Sequence, residues 1–408
     1  TINVPLVSGK LAVRITGFYR KDGGFIDNIA LGDKDVNGYQ SYGGKVALLF
    51  KPNDNFSAKI FYHRANDKLY DETLVDGQFP HASNLVNTNP IDSFSTDNFQ
   101  LFGLKLQLKT EFGTFTSITG LQKRRANIRR YDPVNQALNE LLGLPPKFIA
   151  VQRTSLQVER YLTQELQFAS DFHGPLQLTA GLFFRDPDYV LRNSVISDAS
   201  GNLATLIGTN VIVATLGARP DAIKQYSGFA ELSFDLSEHV KLIGGARYVH
   251  NNSAKKIDPS LTSAIPFTLP SNLTFNFRLR RLLPRVAVEI KAAEDVLLYG
   301  SFSRGVRDGG INGVLAASNA AQADTRTFSE LLIYNPDQVD AYEAGIKSEW
   351  LSGDLIANAA LFYNEIKNQQ ILETNPFGFI DNAPKARSLG AEAQTILKLT
   401  PALTLNAS

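Results

Sequence analysis

The chain has no cysteine in 408 residues. That excludes disulfides, thiolate metal sites and a cysteine nucleophile, and it suits a protein that crosses an oxidising compartment. Histidine is scarce: His63, His81, His173, His239 and His250 show no metal-ligand spacing, and two of them fall in short turns. No apolar run approaches the roughly 18 residues that a membrane helix needs. Neither sign of charge is in excess, with a net charge of +1, so no bulk field points to nucleic acid. No secretory leader and no initiator methionine open the sequence. Thr1 begins in strand-like TINVPLV and Ser408 ends in LTLNAS, so both ends read as cuts through a longer protein.

What is present is a period of two. In Leu101 to Lys109, Phe102, Leu104, Leu106 and Leu108 share one face, and Gly103, Lys105, Gln107 and Lys109 share the other. Ala230, Leu232, Phe234 and Leu236 alternate in the same way with Glu231, Ser233 and Asp235. Strand-like segments are expected at about 10–20, 41–51, 55–65, 98–109, 113–125, 154–170, 175–185, 225–236, 239–250, 273–291, 295–304, 339–351, 354–367 and 387–398. With a partial strand at each end they make about 16.

Tight Gly-, Pro- and Asn-containing turns alternate with long connections at about 21–38, 66–96, 128–150, 186–222, 252–272, 305–337 and 368–386. Long links at every second connection do not suit a compact soluble domain. They suit an all-β chain folded as a transmembrane antiparallel β-barrel of the bacterial outer membrane, with short turns inside and long loops outside. The absence of membrane helices agrees, because a barrel strand needs only about 9–11 residues, half of them apolar. Paired aromatics near the long-loop ends, Phe18-Tyr19, Phe61-Tyr62, Phe183-Phe184 and Phe362-Tyr363, are expected to form an interfacial girdle. Phe275, Phe277 and Leu279 have the opposite parity to Leu282, Val286 and Ile290, which predicts a bulge near Arg280-Arg281 beside Pro284.

On this reading Lys105, Glu231, Lys241 and Arg247 face the lumen. Arg307, Asp308 and Asn312, in RGVRDGGING, lie at the extracellular mouth and are candidates for ligand contact. The glycines there resemble a phosphate cradle only superficially, since no helix follows and no Gly-Lys-Ser/Thr is present. Asp33, Asp35, Asn37 and Gly38 match the opening of a calcium loop, but Gly44 stands where the bidentate glutamate belongs. An acidic surface loop is the better reading, and no metal or other cofactor is expected. The run Lys123, Arg124, Arg125, Arg129, Arg130 marks a strand leaving the membrane. It is either a solvated loop base or a site for lipopolysaccharide phosphates. No nucleophile elbow or serine–histidine–acid set suggests an enzyme.

Four segments in order resemble TonB-dependent receptors of the Gram-negative outer membrane. They are PLVSGKLAVRITGFYRKDGGFIDN from Pro5, LPRVAVEIKAAEDVLLYGSFSRGVRDGGINGV from Leu283, NPDQVDAYEAGIKSEWLSGDLIANAALFYNEIKNQQ from Asn335, and LGAEA from Leu389. The resemblance implies a 22-stranded barrel of which residues 1–408 are one partial domain, with the N-terminal plug, the TonB box and the last strands outside this stretch. It further implies energised import of a scarce nutrient such as an iron-siderophore, with the TonB complex as partner through the plug. A passive porin-like channel, or a barrel anchoring a surface assembly, are the alternatives.

Overall fold

The alternation above is that of strands with one face in lipid, and the computed structural model bears it out. It describes residues 1–71, 85–89, 91–131, 151–198, 211–212, 223–256, 274–312, 325–373 and 379–408. The main strands are β1 (Ile2–Val7), β2 (Leu11–Asp22), β3 (Tyr39–Phe50), β4 (Phe56–Leu69), β5 (Phe94–Thr110), β6 (Gly113–Tyr131), β7 (Val151–Ser170) and β8 (Leu176–Asp198). They continue with β9 (Lys224–Asp235), β10 (Val240–Lys256), β11 (Thr274–Ala293), β12 (Val296–Arg307), β13 (Asp337–Trp350), β14 (Leu355–Glu373), β15 (Phe379–Thr400) and β16 (Leu403–Ala407). Each pairs antiparallel with the next, so the whole is one meander, the wall of an up-and-down barrel. Among the described residues β1 pairs only with β2, and β16 only with β15.

The register sorts the side chains. Ile15, Val46, Tyr62, Phe102 and Leu121 stand in one hydrogen-bonded row and all are exposed. Leu166, Leu182, Leu232, Leu282, Val286 and Leu361 belong to the same apolar face. In water such a surface would aggregate; in a bilayer it is the lipid-facing band. The opposite face is polar and glycine-rich, and rings lie across its glycines. A Cβ on Gly103 would stand 2.3 Å from the Phe61 ring, and one on Gly390 2.4 Å from that of Phe362. Phe229 covers Gly181 and Tyr299 covers Gly345 in the same manner.

This corrects the girdle. Adjacent residues point to opposite faces, so each aromatic doublet splits. Tyr19, Tyr62, Phe184 and Tyr363 join the apolar face, where Phe302, Tyr342 and Tyr363 form a row with ring centroids 5.0 and 6.1 Å apart. Phe18, Phe61, Phe183 and Phe362 turn to the polar face.

The expected bulge near Arg280-Arg281 is absent. β10 and β11 pair without a register shift from Thr274 to Ile290. Leu279 instead turns to the polar face and is buried there, as is Val249. A parity switch needs no bulge where a strand has left the hydrocarbon and either face may carry apolar side chains. Pro284 ends a ladder rather than bending a strand. It has no N–H, and pairing between β11 and β12 stops at Arg285–Ser303 while pairing with β10 runs on. A register shift that the sequence did not suggest falls in β8 between Pro187 and Tyr189.

The tight turns fall where expected. Lys51 donates to Asp54 at 2.9 Å in the β3–β4 turn, and this ammonium holds the Asp54 carboxyl below its ordinary range. The connection expected at 368–386 is mostly strand: β14 runs to Glu373 and β15 starts at Phe379. β8 likewise extends to Asp198. These segments stand above the hydrocarbon, where no lipid face imposes alternation, so they lose the amphipathic signature but keep the ladder. Much of the other long connections lies outside the described residues, as does His81.

Two consequences can be measured on the refolded barrel. Leu182→Arg, near the middle of the apolar face, should cost about 2–4 kcal/mol in a lipid unfolding titration. Gly103→Val should cost about 1–3 kcal/mol by displacing the Phe61 ring, and Phe61→Leu in the same chain should recover part of it.

Candidate functional site

The polar face carries its charges mostly in matched sets. The Glu231 carboxylate accepts from Arg285 Nη1 at 3.0 Å, across the bare Gly245 between them. Lys241 lies 3.5 Å from Asp235. Arg247 donates to Ser227 Oγ at 2.8 Å and stands over the Phe183 ring. Tyr299 donates to Glu343 at 2.6 Å. Lys105 is on this face too, in register with Lys59 and Ile118. All four residues expected to face the lumen are thus opposite the apolar band, and all are half-buried.

At the long-loop end, β12 to β15 build a rim. Arg307 ends β12 opposite Asp337, which starts β13, and the two form a charged pair. Asp337 also accepts from the Gln370 backbone N–H at 3.2 Å. The Gln370 side-chain amide donates to the carbonyls of Asp308 and Asn335 at 2.9 and 3.1 Å. The Asp308 carboxylate accepts from Asn251 of β10 at 2.7 Å. Arg307 keeps 59% of its side chain exposed despite its partner.

Asn312 has a different environment. It is buried, its Nδ2 donates to Leu331 and Ile380 carbonyls at 2.8 and 2.7 Å, and its Oδ1 accepts from Ile380 N–H at 2.6 Å. It fastens the short helix α1 (Phe328–Leu332), with its buried Leu331 and Leu332, to the start of β15. Thr327 and Glu330 cap that helix reciprocally. Arg326 grips Asp381 through two bonds, 2.9 and 2.8 Å long. The pair Gly310–Ile311 joins Ile333–Tyr334, so among the described residues RGVRDGGING returns to paired strand after Gly309 and no helix N-terminus cradles it.

The calcium-like loop is tied internally. Asn37 Oδ1 accepts from the N–H groups of Phe25 and Ile26, and Asp27 accepts from the Asp35 N–H. Among the described residues no cluster of three or more His, Asp or Glu suits a metal. The basic run divides by parity. Arg124 turns to the polar face and binds Asp97 through Nε at 2.7 Å, whereas Lys123 and Arg125 turn outward. The side chain of Arg130 lies outside the described residues. The part played by Asp337, Gln370 and Arg326 was not anticipated; their partners are 30 or more residues away in sequence.

This wall, with its lipid-facing band and its rimmed mouth, is that of an outer-membrane β-barrel. The family model described as "TonB dependent receptor-like, beta-barrel" matches residues 15–408, and the chain belongs to that family. Among solved structures it is similar to the ferric yersiniabactin uptake receptor FyuA from Yersinia pestis, at 17% identity and a TM-score of 0.75, over 99% of this chain and 56% of that one. It is also similar to the siderophore receptor PiuA from Acinetobacter baumannii (13%, TM-score 0.69, 98% and 59%). A third is the copper transporter OprC (14%, TM-score 0.67, 96% and 55%). The chain therefore spans little more than half the length of the receptors it matches.

The latch formed by Asn312 is testable by hydrogen exchange. Asn312→Ala should speed exchange at the Leu332 carbonyl partner Asn312 N–H and at Ile380 N–H roughly tenfold, about 1–2 kcal/mol of local stability. The strands β2 to β7 should keep wild-type protection.

Proposed function

We propose that this barrel belongs to a receptor that imports a scarce nutrient by energised transport, with a ferric siderophore as the substrate class. The external rim and the lumen bind the substrate. A plug region outside this stretch, coupled to the TonB complex of the inner membrane, then rearranges to release it inward. The observation that carries the reading is the polar face. It bears fixed charges of both signs from Lys241 through Glu231–Arg285 to Arg307, a lining suited to a hydrated path for a polar cargo.

The likeness to a ferric yersiniabactin uptake receptor and to a siderophore receptor supports iron, and the fold is also shared with a copper transporter. Lys105, Glu231, Lys241 and Arg247 are assigned to the lumen lining. Arg307 and Asp308 are assigned to substrate contact at the mouth. Asn312 acts there by holding the rim in shape, since its amide is spent on backbone partners.

Deleting the gene in its host should abolish uptake of at least one ferric siderophore under iron restriction, and a protonophore should stop that uptake in the parent. Uptake that persists in de-energised cells and rises linearly with concentration would instead mean a passive channel. Arg307→Ala in the full-length receptor should weaken substrate binding about tenfold, some 1.4 kcal/mol, with outer-membrane abundance unchanged.

A further inference from the structure

Two of the long connections meet on the outward side of the wall. Lys68 of β4 and Thr96 of β5 stand opposite each other, at the same parity as the lipid-facing Tyr62 and Phe102. Tyr70 and Phe94 continue that side one step further up. The connection from β2 to β3 folds back over them. Its Leu31, Asp33, Lys34 and Val36 enclose, with Tyr70 and Phe94, a cavity of about 590 Å³. That is within the roughly 300–1,000 Å³ of small-molecule sites.

The walls of this cavity are held by their own bonds. Ile26 has no exposed surface, and Asn28 is 1% exposed. The Asn28 Oδ1 accepts from the N–H groups of Ala30 and Leu31 at 3.0 and 3.1 Å, and its Nδ2 donates to the Asn89 carbonyl at 3.0 Å. Asp27 and Asn28 also pair in parallel with Val86 and Asn87, which ties this connection to the one between β4 and β5. The calcium-like run Gly32 to Gly38 therefore serves as a wall, with Asn37 bonded behind it and Asp33, Lys34 and Val36 in the lining.

The polar groups in the lining are not spent on one another. Asp33, Lys34, Lys68 and Asp92 are exposed, and none of them forms an ion pair with a described residue. The Lys68 ammonium lies 4.0 Å from the centroid of the Tyr70 ring. Asp71 is buried and accepts from Asn87 Nδ2 at 3.4 Å. Ser93 is 2% exposed and also lines the cavity, and its Oγ has no hydrogen-bond partner among the described residues. A buried hydroxyl in that state is costly unless something completes it.

We propose that this cavity binds the end of an oligosaccharide. Its carboxylates do not converge on one point, since no group of three or more acidic or histidine side chains among the described residues suits a metal. The ligand is therefore larger than an ion. Asp33, Asp71 and Asp92 are set against Lys34 and Lys68, so the lining has little net charge and favours a neutral ligand. A sugar meets all of these groups at once, because each hydroxyl both donates and accepts. The carboxylates accept from its hydroxyls, the ammonium groups donate to its oxygens, and one hydroxyl supplies the partner that Ser93 lacks. Leu31, Val36, Tyr70 and Phe94 give apolar surface to the C–H faces of the rings. The cavity lies outside the wall and off the lumen, so the site stands or falls independently of the import reading.

The test uses the full-length receptor purified from outer membranes in detergent, applied to a microarray of free oligosaccharides and bacterial polysaccharides. The wild type should bind at least one class of spot. Binding to free oligosaccharides marks a soluble sugar as the source, and binding to polysaccharides alone marks a neighbouring surface polymer. In titration with the bound sugar, Asp33→Asn/Asp92→Asn should weaken affinity at least tenfold, and Leu31→Trp, which fills the cavity, should abolish binding. Retained heat-modifiable migration on a gel establishes that each variant is folded.

Ser93→Ala separates a ligand contact from a structural role. It should weaken binding about threefold while the thermal unfolding midpoint stays level or rises, because the hydroxyl it removes has no partner in the protein. Lys51→Gln, at the opposite short-turn rim, should bind as the wild type does. A blank array would overturn the site. So would equal affinity in the wild type and Asp33→Asn/Asp92→Asn, or a loss of binding in Glu231→Gln, which would put the sugar in the lumen instead.

Discussion

A backbone in hydrocarbon has no water to satisfy its N–H and C=O groups, and each group left unpaired costs several kcal/mol. That constraint explains why every strand from β2 to β15 has a partner on both sides. The connections at one end are only two to five residues long, as antiparallel neighbours permit. Once the ladder is fixed, alternation follows, and with it the separation of an apolar face from a polar one. The glycines of the polar face follow too. Rings such as Phe61 and Phe362 need somewhere to lie inside a curved wall, and a bare Cα on the next strand provides it.

The strictness of the two-residue period gives single residues opposite environments. Lys123, Arg124 and Arg125 are consecutive, yet the middle one sits in a polar interior beside Asp97 while its neighbours meet the lipid boundary. The four aromatic doublets divide in the same way. A cluster in sequence is therefore not a cluster in space on such a wall. Its true neighbours are the residues across the ladder, Gln100 and Arg160 for Lys123, which are more than twenty positions away.

This also decides what was legible in the sequence. Sixteen strands, their tight turns and their lipid faces were readable, because inside the bilayer one physical rule acts on every second residue. The hairpin of β14 and β15 above the membrane was not, since Ile371 to Glu373 and Phe379 to Asp381 have no lipid face and no alternation to show, and Phe379 is buried at the rim instead. The bulge predicted at Arg280-Arg281 failed for the same reason: the parity rule was applied beyond the hydrocarbon, where Leu279 is free to turn inward. Arg307, Asp308 and Asn312 do gather at the rim. That Asn312 is a fastener rather than an open contact depends on Leu331 and Ile380, partners that no local pattern announces.

Pro284 divides the wall at one height. Below it β11 and β12 are stitched by backbone bonds, and above it they are not, while their outer neighbours β10 and β13 remain attached to each. The upper barrel is thus two leaves sharing a hem. Among the described residues the bond from Asn251 to Asp308 bridges the slit between them. The two leaves are joined by backbone bonds at the hem and by side chains above it, while within the bilayer the ladder runs from strand to strand without a gap.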